Sequence, residues 1–273
     1  MQDLKALAVE TKDHVAEVEL LGPGKGNAMG PDFWKELPHV FDALDADPEV
    51  RAVVVRGRGE HFTFGLDLKA MMQDLGPHLG GEQLARQRTE LLGLIERLQG
   101  SINAVERCRK PVIAAVHGWC IGGGVDLITA CDVRLASADA KLSVREVRVA
   151  MVADVGSLQR LPRIVGQGHA RELAFTGKDV DASRAERMGL VNEVFPDRDT
   201  LLEAARAMAR EIADNPPLVV QGVKRVLNFG ADRPVADGLA YVAAWNSAFL
   251  HSKDLGEAVT AFMERRKPAF RGE

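Results

Sequence analysis

Residues Trp119–Asp126, with the sequence Trp-Cys-Ile-Gly-Gly-Gly-Val-Asp, decide the fold prediction. The compact apolar run before them, Pro111–His117, is typical of a buried strand, and Leu127–Cys131 continues as a helix. Three consecutive glycines at such a strand-to-helix junction let a ligand approach the backbone N–H groups closely. The N-terminus of a helix adds unpaired N–H donors and partial positive charge. This glycine turn therefore predicts a site that stabilises an oxyanion, with Asp126 beside it.

Two further carboxylates, Glu146 and Asp154, follow Asp126 in a largely apolar sequence context. An acid in apolar surroundings has its pKa raised by desolvation, which suits proton transfer near neutral pH. Each of the three also fits a surface or helix-capping carboxylate, and Asp154 before Val155-Gly156-Ser157 resembles an N-cap. Because all three flank the glycine turn, we interpret them as candidate catalytic groups.

The composition is that of an ordinary soluble protein. The chain has 273 residues, and 46% hydrophobic content is enough for a full core. A net charge of -4 speaks against a nucleic-acid partner or a membrane-surface protein. The three cysteines lack CxxC spacing, which favours free thiols in a reducing compartment. The first residues lack a signal-peptide pattern, and the last four do not form a peroxisomal Ser-Lys-Leu address, so we expect a cytoplasmic location.

Along the chain, strand patterns alternate with helix patterns up to Gly156, which predicts an α/β domain. Strands are predicted at 4–11 and 14–21 as a hairpin, and at 52–56, 111–117, 133–136 and 141–144. Helices are predicted at 32–44 and 84–105, with a flexible segment at 71–81 between them. After Gly156 we expect no strand and helices at 157–165, 168–175, 183–188, 199–214, 216–229, 234–250 and 254–265. This divides the chain into a core, residues 1–198, and a helical region, residues 199–273, that forms a lid or an assembly element.

Several other sites receive less support. Gly118–Gly122 fits GxSxG with Cys120 as nucleophile and His169 or His251 as base, but a thiol hydrolase leaves the three glycines unexplained. His117, Cys120 and Cys131 lack a fourth ligand at sensible spacing, so no metal site is expected. The glycine turn lacks GxGxxG, and the loop at 22–27 lacks Walker A spacing, so neither predicts a nucleotide site.

Seven segments together resemble one family, the crotonase (enoyl-CoA hydratase/isomerase) superfamily, over nearly the whole chain. They are Gly26–Met29, His61–Leu68, Pro111–Asp126, Ala130–Asp132, Gln159–Pro162, Thr176–Lys178 and Ala185–Val194. The resemblance implies a spiral of ββα units with a helical C-terminal region that trimerises, often as a dimer of trimers. It also implies an acyl-CoA thioester substrate whose oxygen is held by the backbone N–H groups of Leu66 and Gly123.

The resemblance further implies residues along the path of coenzyme A. Lys25 is expected to meet the CoA phosphates, although a solvated lysine explains it equally well. Phe64, Gly65, Asp67 and Leu68 are expected to line the path through their backbone. The segment at 71–81, with Met71, Met72 and Leu75, is expected to shape the acyl pocket.

The three acids separate two branches of this family. Hydratases carry glutamates at positions 126 and 146 and a glycine at 154, whereas this chain has Asp126, Glu146 and Asp154. The pattern Asp, Glu, Asp is similar to the Δ3,5-Δ2,4-dienoyl-CoA isomerase branch. Moving two conjugated double bonds requires a proton taken from C2 and one delivered at C6, so two separated carboxylates are useful.

We assign Glu146 to C2 and Asp154 to C6, with Asp126 polarising or orienting; the reverse assignment of the first two stays open. No metal or redox cofactor is expected, since coenzyme A is part of the substrate. The alternatives are an enoyl-CoA hydratase that uses Asp126 and Glu146, and a crotonase-fold protein that binds a partner or RNA without turnover. The acidic net charge and the intact acids speak against the latter.

Overall fold

The computed structural model describes residues 4–80 and 84–273 and has the predicted α/β class. The first half contains β1 (Leu7–Lys12), β2 (Val15–Leu20), α1 (Pro31–Ala46), β3 (Ala52–Gly57), α2 (Leu68–Leu79), α3 (Ala85–Arg107), β4 (Val112–Val116), β5 (Trp119–Ile121) and α4 (Gly123–Ala130). The second half contains β6 (Val133–Ser137), β7 (Lys141–Ser143), α5 (Ser157–Thr176), β8 (Val180–Asp181), α6 (Ala182–Arg187), β9 (Glu193–Phe195), α7 (Arg198–Ala213), α8 (Pro217–Gly230), α9 (Val235–Phe249) and α10 (Lys253–Glu264).

Six strands form the main sheet, in the order β1-β2-β3-β4-β6-β9. β1 and β2 form the predicted antiparallel hairpin, and the other pairings are parallel. A second sheet, β5-β7-β8, begins where the chain leaves β4. In it Ile121 pairs with Ser143, so the glycine turn starts beside the end of β7.

Both faces of the main sheet are covered, which explains why its central strands read as continuous apolar runs. Val53 and Val55 of β3 face the larger core, where α1, α3 and α4 pack. Val54 of the same strand faces a smaller core formed with α7. The glycine turn therefore leaves a sheet that is held from both sides.

Two expectations about secondary structure were wrong. The part after Gly156 contains two short strands, β8 and β9, and β9 extends the main sheet beside β6. Strands of two or three residues are too short to show an alternating pattern. The segment predicted to be flexible forms α2 as far as Leu79: Asp67 caps it by accepting from Ala70 N–H at 2.9 Å, and Met71 is fully buried. Residue 81 of that segment lies outside the described residues.

The last helices behave in two ways. Leu201, Ala205 and Ala209 of α7 are fully buried against the main sheet. In α8, α9 and α10 large apolar side chains are exposed, including Leu227, Leu239, Phe249, Phe262 and Met263. The division at residue 198 stays a prediction. In the described part of the chain, none of the helices has the length and apolar character needed to cross a membrane.

Candidate active site

The backbone brings the loop before α2 against the glycine turn. Thr63 N–H donates to the carbonyl of Trp119 at 2.9 Å, and Ile121 N–H donates to that of Thr63 at 3.0 Å. On its other side the loop is paired with Met29, which donates to Gly65 O at 2.7 Å and accepts from Asp67 N–H at 3.1 Å. Met29 thus bonds the residues before and after Leu66, and this bridge leaves the N–H of Leu66 unused.

The N–H groups of Leu66 and Gly123 lie close together. A β-carbon built on Gly65 would lie 2.4 Å from the carbonyl oxygen of Ile121 and 3.1 Å from the nitrogen of Gly123. A β-carbon on Gly123 would lie 3.8 Å from the nitrogen of Leu66. Gly123 is the first residue of α4, where backbone N–H groups have no helical partner. The two N–H groups therefore stay candidates for the predicted oxyanion donors, each of which would be worth about 3 kcal/mol to a transition state.

Glu146 lies directly beside this pair, at the start of a short 3₁₀ turn, Glu146–Val149. Its Oε1 would lie 3.0 Å from a β-carbon on Gly122, the residue before Gly123. Its Oε2 is buried and has no hydrogen-bond partner among the described residues. Burial, together with the charges of Asp126 and Asp154, raises the pKa of Glu146 to about 7. A carboxylate with this pKa suits general-base chemistry near neutral pH.

Asp126 is fully buried behind the glycine turn, in the first turn of α4. Its Oδ1 accepts from the backbone N–H of Ser157 at 2.5 Å, whereas its Oδ2 has no partner in the described structure. Burial raises the pKa of Asp126 to about 6, and the hydrogen bonds from Ser157 oppose this rise. Asp126 is thus close enough to Glu146 to raise its pKa, but it does not line the cavity described next.

A cavity of about 420 Å³ opens over the glycine turn and Glu146. Its walls are largely apolar and include Phe64, Leu66, Leu68, Ile121, Val149 and Met151. We call it the acyl cavity.

Among the residues predicted to lie on the CoA path, Phe64 and Leu68 line the acyl cavity. Gly65 packs closely against the backbone of Ile121 and Gly123, and Asp67 caps α2. The side chain of Lys25 lies outside the described part of the structure. Met71 is buried in the core, and Met72 and Leu75 do not belong to the described wall of the cavity.

Asp154 is placed differently from the other two acids. It is exposed, and it lines a second, polar cavity of about 350 Å³ together with Gln99, Asn103 and Arg160. We call this the polar recess. Partial burial of the carboxyl raises the pKa of Asp154, and its charge raises the pKa of both Asp126 and Glu146. It is not a helix cap, because Gly156 holds the N-cap position of α5.

Two other sites considered from the sequence, the thiol nucleophile and the metal cluster, gain no support from the described residues. Cys120 is fully buried, and burial raises its pKa well above the usual value, so it is no thiolate nucleophile. His169 lies in α5, where it faces Glu172 at 3.7 Å. Among the described residues, no group of three or more side chains could hold a metal ion.

Sequence reasoning missed two groups around the acids. Arg145 precedes Glu146 and lies 5.2 Å from the ring centre of Trp119, so both stiffen one wall of the acyl cavity. Arg160 contacts Asn103 and Glu106 beside Asp154. A signal existed for the second group, because Gln99, Asn103 and Glu106 recur at helical spacing on α3.

Several known proteins resemble this chain in sequence and in fold. The family model described as Enoyl-CoA hydratase/isomerase matches residues 10–273. A protein of Dictyostelium discoideum named Delta(3,5)-Delta(2,4)-dienoyl-CoA isomerase, mitochondrial, is 47% identical over 274 residues, covering 98% of this chain and 92% of its own. The peroxisomal protein of that name from Arabidopsis thaliana is 44% identical, with 99% and 98% covered. A crystal structure of enoyl-CoA hydratase from Bacillus anthracis superimposes with a TM-score of 0.88 at 31% identity, covering 98% of this chain and 100% of that one.

Proposed function

The chain belongs to the enoyl-CoA hydratase/isomerase family, and from this we propose that it converts 3,5-dienoyl-CoA thioesters into 2,4-dienoyl-CoA thioesters, as a step of fatty acid β-oxidation. The resemblance and the crotonase-like fold predicted from the sequence are confirmed. The relatives with 47% and 44% identity carry this isomerase activity in their names. The observation at the site that carries the proposal is a set of three acids with raised pKa values, of which Asp154 is near enough to act by charge on both Asp126 and Glu146.

In the proposed reaction the thioester oxygen accepts hydrogen bonds from Leu66 and Gly123. Glu146, beside Gly122, takes a proton from C2 and the electron pair passes into an enolate, which the two N–H groups stabilise. The electrons then return through the conjugated chain: double bonds form at C2–C3 and C4–C5, and C6 takes a proton from Asp154. One proton leaves and one arrives, so the substrate is isomerised without net change in composition.

The buried Asp126 acts on this reaction through charge. Its carboxylate raises the pKa of Glu146, which strengthens that group as a base. The steps move only protons and electron pairs within the substrate, so we propose that neither a metal nor a redox cofactor takes part. Coenzyme A belongs to the substrate, and Lys25, Phe64, Gly65, Asp67 and Leu68 are proposed to follow its path.

We propose a homotrimer or a dimer of trimers as the assembled form. Support comes from the exposed apolar side chains of α8, α9 and α10, since soluble monomers rarely expose large apolar patches. The cytoplasmic location expected from the sequence stays a prediction, and the two named relatives are called mitochondrial and peroxisomal.

The test is the ultraviolet absorbance of the conjugated 2,4-dienoyl product when purified protein is mixed with a 3,5-dienoyl-CoA. Asp154→Asn keeps the size of the side chain but removes the proton donor, so we expect the absorbance change to be lost while the acyl-CoA still binds. Asp42→Asn, which alters an exposed aspartate of α1 outside both cavities, serves as the control and should leave the rate unchanged. Full activity in Asp154→Asn would remove Asp154 from the mechanism.

One observation favours a second function, hydration of 2-enoyl-CoA by Asp126 and Glu146. Asp154 lies outside the wall of the acyl cavity, and the solved structure from Bacillus anthracis is named a hydratase. A hydratase would remove the absorbance of a 2-enoyl-CoA, and Asp154→Asn would leave that rate unchanged. Binding of CoA thioesters without any turnover would point instead to a non-catalytic binding protein.

A further inference from the structure

Three polar residues on one face of α3 lie beside the turn at residues 154–156, which carries Asp154. Gln99, Asn103 and Glu106 follow one another at spacings of four and three, so they share one helical face. All three line the polar recess, as does Asp154. We call them the α3 stripe. The neighbouring face of α3 is apolar, with Leu98 and Ile102 buried in the core.

Arg160 of α5 is bound by two members of the α3 stripe, Asn103 and Glu106. Its Nη2 donates to Asn103 Oδ1 at 2.6 Å and to Glu106 Oε2 at 2.6 Å, and its Nε reaches the same Oε2 at 3.2 Å. The side chain of Arg160 is 13% exposed and that of Glu106 is 44% exposed, so water screens this ion pair mainly from the glutamate side. The contact fixes the first turn of α5 against α3.

The held guanidinium closes over the segment that carries Asp154. A β-carbon built on Gly156 would lie 1.9 Å from Nη1 of Arg160, so the guanidinium lies directly against this residue, whose φ of +132° itself favours glycine. The third member of the α3 stripe, Gln99, donates from Nε2 to the backbone carbonyl of Asp154 at 2.7 Å. Two contacts therefore connect residues 154–156 to the same face of α3: Gln99 binds the backbone of Asp154 directly, and Arg160, held by Asn103 and Glu106, lies against Gly156.

The same turn also binds the buried carboxylate of Asp126. Ser157 follows Gly156 and gives its backbone N–H to Oδ1 of Asp126. A shift of this turn would thus move the Asp154 carboxyl and the hydrogen bond to Asp126 together. Glu146 is held elsewhere: it lies next to Gly122, whose N–H donates to Ser143 O at 2.9 Å.

We propose that the α3 stripe and Arg160 are positioning residues that set the distance between Asp154 and the far end of the dienoyl chain. This inference rests on the proposed isomerase function. Asp154 is exposed, and in the described structure its carboxyl is oriented only by its own backbone N–H, so the position of the carboxyl depends on how that backbone is held. The acid beside the thioester needs no such device. Displacing the turn should therefore slow proton delivery at C6 much more than proton removal at C2, which is coupled to the turn only through the charges of Asp126 and Asp154 on Glu146.

The experiment measures the two ends of the substrate separately in the full-length protein. A 3,5-dienoyl-CoA carrying deuterium at C2 is incubated in ordinary water. Formation of the conjugated product reports transfer at C6, and loss of deuterium from recovered substrate reports proton exchange at C2. We compare Arg160→Met with Arg163→Met, an exposed arginine that also lines the recess but makes no ion pair in the described structure.

For Arg160→Met we expect product formation to fall about 10- to 100-fold, as for a catalytic group displaced by about 1 Å. Exchange at C2 should change less than about threefold, so the ratio of exchange to product rises. Gln99→Leu should show the same split more weakly. Glu106→Gln keeps an oxygen that accepts from Arg160 and should stay near wild type, whereas Glu106→Ala should not.

A parallel fall of exchange and product in Arg160→Met would overturn the inference, because it would indicate a general loss of structure. Equal losses in Arg163→Met and Arg160→Met, or no loss in either, would also overturn it. Absence of isomerisation by the wild-type protein would overturn the proposed function, and this inference with it. The wild-type rate and the variant ratios thus report the two failures separately.

Discussion

Two carboxylates of the site stand in opposite surroundings. Glu146 borders an apolar cavity, and one of its oxygens is buried without a partner among the described residues. Asp154 is exposed and borders a polar recess with Gln99, Asn103 and Arg160. Burial raises the pKa of both, to about 7 for Glu146. Glu146 is therefore the more desolvated of the two acids, and Asp154 is the more open to proton exchange with solvent.

The contrast fits a reaction that takes a proton at one end of a substrate and gives one at the other. The base benefits from desolvation, because an apolar wall makes it hold a proton more tightly. The donor has to be recharged after each turnover, and contact with water supplies that proton. The following predictions test this comparison.

The largest effect is expected from Glu146→Gln, which removes the base on the apolar side. General acid–base catalysis contributes about 10²- to 10⁴-fold, so we expect kcat to fall about 10³-fold with little change in acyl-CoA binding. Steady-state rates and binding by calorimetry measure the two quantities. The exposed Glu193 provides the control Glu193→Gln. A rate within about threefold of wild type would mean that Glu146 is no base.

The next largest effect is expected from Gly65→Ala, which should displace the backbone N–H groups of Leu66 and Gly123 that are proposed to hold the thioester oxygen. Gly65 has φ +78°, and the new β-carbon would lie 2.4 Å from the carbonyl of Ile121. Displacing one oxyanion donor should lower kcat about 10²- to 10³-fold. Gly59→Ala is the matched control, since Gly59 has φ +72° but no atom within 4 Å of its added carbon. Similar losses in both variants would indicate backbone strain alone.

Asp126→Asn should raise stability in a pH-dependent way. Burial raises the pKa of Asp126 from 3.8 to about 6, so the folded protein resists ionising it and loses stability as pH rises through this range. Asn has no such cost, so the variant should gain about 2–3 kcal/mol relative to wild type between pH 4 and pH 7. Urea unfolding at both pH values measures the difference.

The same variant should also move the acid limb of kcat/KM to lower pH, because Asp126 raises the pKa of Glu146. A stability difference that is equal at both pH values would contradict the assigned burial of charge. An unmoved acid limb would show that the two acids do not interact.

The smallest effect is expected from Met151→Gln, which makes the apolar wall more polar. Met151 lines the acyl cavity with Glu146, so the change should lower the pKa of Glu146 and shift the acid limb of kcat/KM slightly to lower pH. Val152→Gln alters the next residue, which is 75% exposed and outside the described wall, and should leave the limb in place. A shift to higher pH would contradict the role of the wall.

Local sequence patterns were enough to predict much of the fold and the glycine turn at the centre of the candidate site. The apolar run before Trp119 and the glycines after it are features of one continuous segment, so the strand, the turn and the helix could be predicted together. The three acids could be named because they flank that segment.

Other features depend on contacts between distant segments. The strands β8 and β9 are fixed by pairing with β7 and β6 rather than by their own residues. The polar surroundings of Asp154 come from α3, about fifty residues away in the chain, through Gln99. Residue spacing alone cannot show that two such segments meet. The position of Asp154 outside the acyl cavity could therefore be found only from the structure.

The last helices have a consequence for how the protein should be handled. Every residue of α9 is half-buried or exposed, and its apolar side chains continue onto those of α8 and α10. Under the proposed assembly, neighbouring copies cover these faces and association contributes to folding free energy by mass action. The melting temperature should then rise with protein concentration, and strongly diluted samples should lose activity on standing.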